Sequence, residues 1–313
     1  MKRIEETLRK IEKENIDSLL VIRNEKMMGE NVRYISGFSG SSAYVVLSPE
    51  HRIFITDDRY TEQAAEECPN FEIVRHGRPF TKTLNEVVNN LNIKKLGFER
   101  NGVTVDLFNT LKENLTGIEL VSTKEIIEEL RAVKDEKELV LMKKAAQITD
   151  RTFEHILGFI KMGIKERDIA LEMEFYMKKI GSSDLAFNLI LVSGKNSSHQ
   201  HGAPSEKKIE FNDFVTMDFG ALYEGYRSDM TRTVVVGRAD EKQKDVYSTV
   251  KIAQQEGLNK LKAGAKGEEI STHVRKTIEK AGYGDYSGHG LGHGVGLEIH
   301  ELPYLRTTGE TLL

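Results

Sequence analysis

Residues 213–237 read DFVTMDFGALYEGYRSDMTRTVVVG, and no other stretch restricts the fold as strongly. Two β-rich runs, DFVTMDFGAL (213–222) and YRSDMTRTVVVG (226–237), flank a short link whose Glu224-Gly225 has turn chemistry. So short a link returns the chain beside itself, which makes the pairing antiparallel. With the tip near Tyr223-Glu224, Asp218 and Asp229 stand opposite or nearly opposite each other. Directly opposed residues have Cβ atoms about 4.5–5.5 Å apart. Carboxylates that close repel, and Val215, Met217, Phe219, Val234 and Val236 along the same strands make an uncompensated charge costlier. A shared proton or a cation between the acids would compensate. The blander alternative has one aspartate capping the turn and the other facing water.

A second stretch, GHGLGHGVGLEIHELP (288–303), places a glycine at every second position from Gly288 to Gly296. That density argues against a helix. In an extended strand His289 and His293, four residues apart, share a face. The glycines would admit another backbone or a substrate at close range. His300 and Glu301 follow, and Pro303 is expected to end the strand. The alternative is a glycine-rich loop with solvated histidines. A further histidine, His201-Gly202, lies in a turn-rich loop before Asp218. Neither VSGKNSS nor GFSGSSAY has the G-x-x-x-x-G-K-[ST] pattern of a phosphate loop. Hard carboxylate oxygens with an imidazole suit Mn²⁺, Co²⁺, Zn²⁺ or Fe²⁺. A carboxylate shared by two such ions would make a hydrolytic centre.

The 313 residues suffice for two domains. Residues 1–125 alternate strands (SLLVIR, SAYVVLS, RIFITD, FEIVRH, KLGFE) with helical patterns, predicting an α/β domain. Residues 126–313 predict an α+β domain, entered through a long helical, charge-rich stretch (122–160) that breaks near Lys134-Asp135. Helical patterns return at 166–180, 241–262 and 266–282. Lys+Arg (45) nearly balance Asp+Glu (49), which argues against nucleic acid as a partner. No run reaches the roughly 18–20 apolar residues of a membrane span. The single cysteine, Cys68, rules out an internal disulfide framework and points to the reducing cytoplasm.

The ordered set His201-Gly202, Asp218 in TMDFGA, Asp229 in YRSDMTRT, and His293 and His300 in GHGLGHGVGLEIHELP resembles the pita-bread metallopeptidases. RYISGFSGSSAYVVLSPEHRIFITDDRY resembles the N-terminal domain of their proline-specific branch, the Xaa-Pro aminopeptidases and prolidases. The resemblance implies an α/β N-terminal domain followed by an α+β pita-bread catalytic domain. It implies two divalent metal ions (Mn, Co or Zn), held by Asp218, Asp229 and His293, with Asp229 as the bridge. It implies that His201, His289 and His300 face a proline-containing peptide and act in catalysis by stabilising the tetrahedral intermediate. It also implies a homodimer, with dipeptidase and aminopeptidase specificity both open. The family uses five metal-ligand side chains, the last two being glutamates on later strands. The chain stops at TTGETLL, and Glu298, Glu301 and Glu310 are not in the matching context, so the expectation is a catalytic domain without its last strands. Arg227 stands where relatives commonly have cysteine, and Gln200 where many have proline. Two rival readings are a pita-bread binding module that has lost its ligands and a creatinase-like enzyme without a metal. The presence of Asp218, Asp229 and His293 together favours the peptidase.

Overall fold

A computed structural model describes residues 2–25, 29–288, 290–308 and 312–313 of the chain. The chain divides into two compact units, Met1–Val133 and Lys134–Leu313.

The first unit contains α1 (Lys2–Lys13), β1 (Ser18–Arg23), α2 (Asn31–Ser36), β2 (Ala43–Leu47), β3 (Arg52–Thr56) and α3 (Thr61–Glu67). It continues with β4 (Glu72–Arg75), α4 (Phe80–Asn90), β5 (Lys95–Glu99), α5 (Val105–Asn114), β6 (Glu119–Thr123) and α6 (Glu128–Ala132). The strands form one mixed sheet in the order β4-β3-β2-β1-β5-β6. Every residue of β1, SLLVIR, is buried, as expected for a strand covered on both faces. Leu20, Ile22, Val46, Ile55 and Leu96 on one face of the sheet pack against Leu84 and Val88 of α4 and Leu111 of α5. β6 overlaps the start of the stretch predicted to be helical. Its pairing with β5 at all five positions outweighs local propensity. The first unit also runs past the expected boundary at 125, because α6 is tied into it. The buried Arg131 donates to Asn31 Oδ1 of α2 at 2.8 Å, and Lys10 of α1 pairs with Glu129.

Asn31 Nδ2 donates to both Glu99 Oε1 (2.5 Å) and Glu128 Oε1 (3.0 Å). Burial, and then the charge of Glu128, push the Glu99 carboxyl up to about 8. A raised carboxyl stabilises the fold fully below its unfolded value of 4.5, and that contribution is lost as pH rises towards 8. Urea midpoints of the wild-type chain are therefore expected to fall across this window, at no more than about 1.4 kcal/mol per pH unit. In Glu99→Gln the decline flattens. An equal slope in both proteins would show that Glu99 is not the cause.

The second unit opens with α7 (Glu136–Leu157) and α8 (Glu166–Lys179). The capping box of Asp135 and Glu138 starts α7 and accounts for the break near Lys134-Asp135. Then come β7 (Asp184–Leu185), β8 (Ile190–Ser193), β9 (Phe214–Phe219), β10 (Ala221–Tyr223), β11 (Tyr226–Arg227) and β12 (Met230–Val235). Two helices follow, α9 (Glu241–Lys260) and α10 (Gly267–Lys280), and then β13 (Gly292–Gly294) and β14 (Glu301–Leu305). The strands form small sheets, β12-β9-β8, β11-β10-β7 and the pair β13-β14. Leu191, Val215, Met217 and Phe219 point from the first of these into a core with Ile148 and Ile156 of α7 and Ile169, Met173 and Met177 of α8.

The two long β-runs expected around the Glu224-Gly225 turn are each broken. The break occurs at Gly220, where a Cβ would lie 1.8 Å from the Ser228 carbonyl oxygen. This close approach turns the β10-β11 hairpin away, with β10 pairing to β7, while β9 and β12 stay in their own sheet. The turn itself is Glu224-Gly225, with both residues at positive φ (49° and 85°) and Tyr223 paired with Tyr226. Pro303, expected to end a strand, instead lies inside β14, the edge of a two-stranded ribbon where its missing N–H costs no ladder bond.

Candidate active site

Along β9 the burial pattern alternates. Val215, Met217 and Phe219 face the core, while Thr216 and Asp218 face the opposite way. Register extends that outer face across the sheet, since Asp218 lies beside Ile190 of β8 and Thr231 of β12. Asp229, two residues before Thr231, falls on the same side. The acids are thus diagonal neighbours rather than directly opposed. Val215, Met217, Phe219, Val234 and Val236, expected around them, all pack into the core behind the sheet instead. The dry surroundings of the acids come instead from Phe187, Ile190 and Val192, which line a cavity of about 790 Å³ with Asp218 and Asp229.

His293, His300 and His201 line the same cavity. His293 is in β13, and His300 immediately precedes β14, with their ring centroids 4.3 Å apart in an edge-on arrangement. His293 Nδ1 is 2.9 Å from the Gly294 carbonyl oxygen, which can only accept, so Nδ1 carries the proton. That leaves Nε2 turned towards Asp229 Oδ2 at 3.5 Å. The glycines of this segment serve the protein's own packing, not only a ligand. A Cβ on Gly294 would meet the Leu302 carbonyl oxygen at 2.2 Å. His201 sits on the loop between the 3₁₀ turn Gly194–Ser198 and β9. His289 and Glu310, both named above, lie outside the described residues.

The electrostatics of the pair are those of crowded acids. Burial, and then the Asp218 charge, hold the Asp229 carboxyl above the usual carboxylate value, partly offset by His293. Burial, and then His293 and His201, hold His300 below the ordinary imidazole value. Asp218 Oδ1 is buried without a hydrogen-bond partner. Among the described residues, no three of His, Cys, Asp and Glu converge closely enough to hold a metal ion between them. The donor chemistry nevertheless fits a hard divalent cation, with an orphaned carboxylate oxygen, a second crowded carboxylate and an imidazole nitrogen facing one cavity.

Residues 140–313 match the family described as Metallopeptidase family M24, and residues 3–133 match the Creatinase/Prolidase N-terminal domain. The chain belongs to metallopeptidase family M24. It is 43% identical to the Bacillus subtilis peptidase YqhT, over 95% of this chain and 83% of that protein. Its fold matches the structure of an Xaa-Pro dipeptidase from Bacillus anthracis with a TM-score of 0.95, at 42% identity, covering 100% of this chain and 86% of that one. It also matches an X-Pro aminopeptidase from Thermotoga maritima with a TM-score of 0.91, at 35% identity, covering 99% and 86%. The fold is thus the creatinase N-terminal domain followed by the M24 pita-bread domain, and the metallopeptidase family implies divalent metal. Among the described residues no helix is long and apolar enough to cross a membrane.

Two residues that hold this candidate site in shape carry no obvious motif. Glu166, the first residue of α8, is fully buried and accepts from the backbone N–H and hydroxyl of Ser193 (2.7 and 2.8 Å) and of Ser205 (3.1 and 2.5 Å). It thereby fastens both ends of the segment that carries His201. Ser228, beside Asp229, is 2.6 Å from the hydroxyl of Thr149 in α7, and both accept from the Ala221 N–H. A glutamate at a helix start reads as a complement to the helix dipole, which conceals its tertiary role.

Proposed function

We propose that this chain hydrolyses the peptide bond preceding proline in small Xaa-Pro peptides, with two divalent ions, Mn²⁺, Co²⁺ or Zn²⁺, held by Asp218, Asp229 and His293. What carries the proposal is the facing of two strand carboxylates and the His293 Nε2 into one cavity beside His201 and His300. Family membership, and relatives named as Xaa-Pro dipeptidase and X-Pro aminopeptidase, support it. Bound there, such ions supply Lewis-acid polarisation of a carbonyl and a nucleophile near neutral pH. The remaining work falls to the protein. Asp218 and Asp229 provide the negative charge that a cation neutralises, and its binding removes their mutual repulsion. His293, oriented through the Gly294 carbonyl, presents a lone pair rather than a proton. His201 and His300, which line the cavity, would donate to the substrate carbonyl where charge develops, and the sequence resemblance assigns His289 the same role. Phe187, Ile190 and Val192 give the apolar wall that excludes water around a proline ring. The same proposal has the chain act as a homodimer in the cytoplasm.

The test is Mn²⁺-dependent cleavage of an Xaa-Pro dipeptide and an Xaa-Pro-Xaa tripeptide by the 313-residue chain. Cleavage is expected, abolished in Asp229→Ala, with the preferred substrate separating dipeptidase from aminopeptidase. A folded wild-type chain that neither binds Mn²⁺ nor cleaves either peptide would favour the binding-module reading, consistent with the absence of a tight three-donor group among the described residues.

A further inference from the structure

Arg227, the last residue of β11 and two before Asp229, lies where three chain segments meet. Its backbone N–H donates to the Gly296 carbonyl at 2.8 Å, and its Nε donates to the Leu297 carbonyl at 3.0 Å. Its Nη1 donates to the Ala186 carbonyl. Both side-chain acceptors belong to buried residues, Ala186 at 3% and Leu297 at 2% exposure, so water is a poor substitute for the guanidinium. Ala186 precedes Phe187 of the cavity wall. Gly296 and Leu297 lie in the irregular link between His293 of β13 and His300, with no ladder of their own to fix them. Within the link, Gly296 N–H also donates to the Glu298 carbonyl (3.0 Å), Glu298 N–H to Glu301 Oε2 (3.4 Å) and the Tyr304 hydroxyl to the His300 carbonyl (3.3 Å).

We infer that Arg227 is a positioning residue. Its planar fork sets the segment bearing His293 and His300 against the segment bearing Asp229, and it fixes the cavity wall at Phe187 in the same act. The inference deepens the proposed function, resting on it for the meaning of those histidines. A lysine would keep the charge and the stem but has no pair of coplanar donors for two carbonyls in different segments. A smaller residue would leave both carbonyls unmet.

The experiment compares wild type, Arg227→Lys and Arg227→Ala by NMR of histidine ring ¹³C–¹H groups without metal, and by calorimetric Mn²⁺ titration. In both variants the His293 and His300 signals are expected to move and broaden, while that of His155, in the last turn of α7, stays in place. Mn²⁺ affinity is expected to fall tenfold or more. Millimolar guanidinium, too dilute to denature, should restore the signals and the affinity of Arg227→Ala, whereas methylammonium should not. Unmoved His293 and His300 signals in folded Arg227→Lys would overturn the inference. So would a shift of all histidine signals together that guanidinium does not reverse, since that would mark a general packing role. A wild-type chain that takes up no Mn²⁺ would sink the proposed function, and the metal-free spectra would still decide the role of Arg227.

Discussion

Replacing Glu166 with alanine is expected to cost about 3–5 kcal/mol of folding stability, because two backbone N–H groups and two hydroxyls lose one buried acceptor at once. The side chain is fully buried, out of contact with bulk solvent. Burial alone would raise the Glu166 carboxyl, but the hydrogen bonds from Ser205 and Ser193 override it and hold the group below its ordinary 4.5. A depressed carboxyl contributes its stability above the unfolded value, and the contribution is lost as pH falls through the lower folded value. Urea titrations from neutral pH down through 4.5 should therefore show a steeper acid loss in wild type than in Glu166→Gln, which has no charge to lose. At neutral pH Glu166→Gln should lie between wild type and Glu166→Ala. Because Ser193 and Ser205 bracket His201, proteolysis of Glu166→Ala is expected to begin between them. Equal stability of Glu166→Ala and wild type would show that the serines find other partners.

Gly220→Ala is expected to destabilise the second unit by about 3 kcal/mol or more, at the upper end of overpacking costs. The added methyl would lie 1.8 Å from the Ser228 carbonyl oxygen and 3.1 Å from Ala186 Cβ. Backbone, not a flexible side-chain end, has to give way. Asp218 is two residues before this point, and Asp229 directly follows Ser228, so the shift separates the acids. Mn²⁺ uptake should fall along with the midpoint of thermal unfolding. Gly282→Ala is the control, because Gly282 sits at φ +85° with open space around it and carries only the roughly 1–2 kcal/mol cost of left-handed backbone. If the two variants unfold at the same temperature, the close approach at Gly220 is not what shapes the hairpin.

Five strands of the first unit and the helices of the second were legible in residue periodicity. SLLVIR could be little but a covered strand, and the stretch beginning ERDIALEM is a helix whose buried Ile169, Met173 and Met177 are each four residues apart. The candidate acids and histidines were visible for a chemical reason, since few patterns crowd two aspartates beside a turn and three histidines among glycines. β6 was not legible, because a strand of mixed polar and apolar residues is made by its neighbour's hydrogen bonds rather than by its own preference.

The sequence by itself determined which side chains could do chemistry here: Asp218, Asp229, His201, His293 and His300, with a turn at Glu224-Gly225 to bring the acids together. Only the tertiary structure decided how they are held. The diagonal placement of the acids follows from the hairpin tip falling at Glu224-Gly225, a register that sets Asp218 opposite Thr231 rather than Asp229. The segment between His293 and His300 is hydrogen-bonded to Arg227 through the carbonyls of Gly296 and Leu297, and the His201 loop to Glu166 through two backbone N–H groups. Every residue carries a main-chain donor or acceptor, so partnerships of this kind leave no mark in the order of side chains. They become visible only when the fold brings distant backbone within hydrogen-bonding reach.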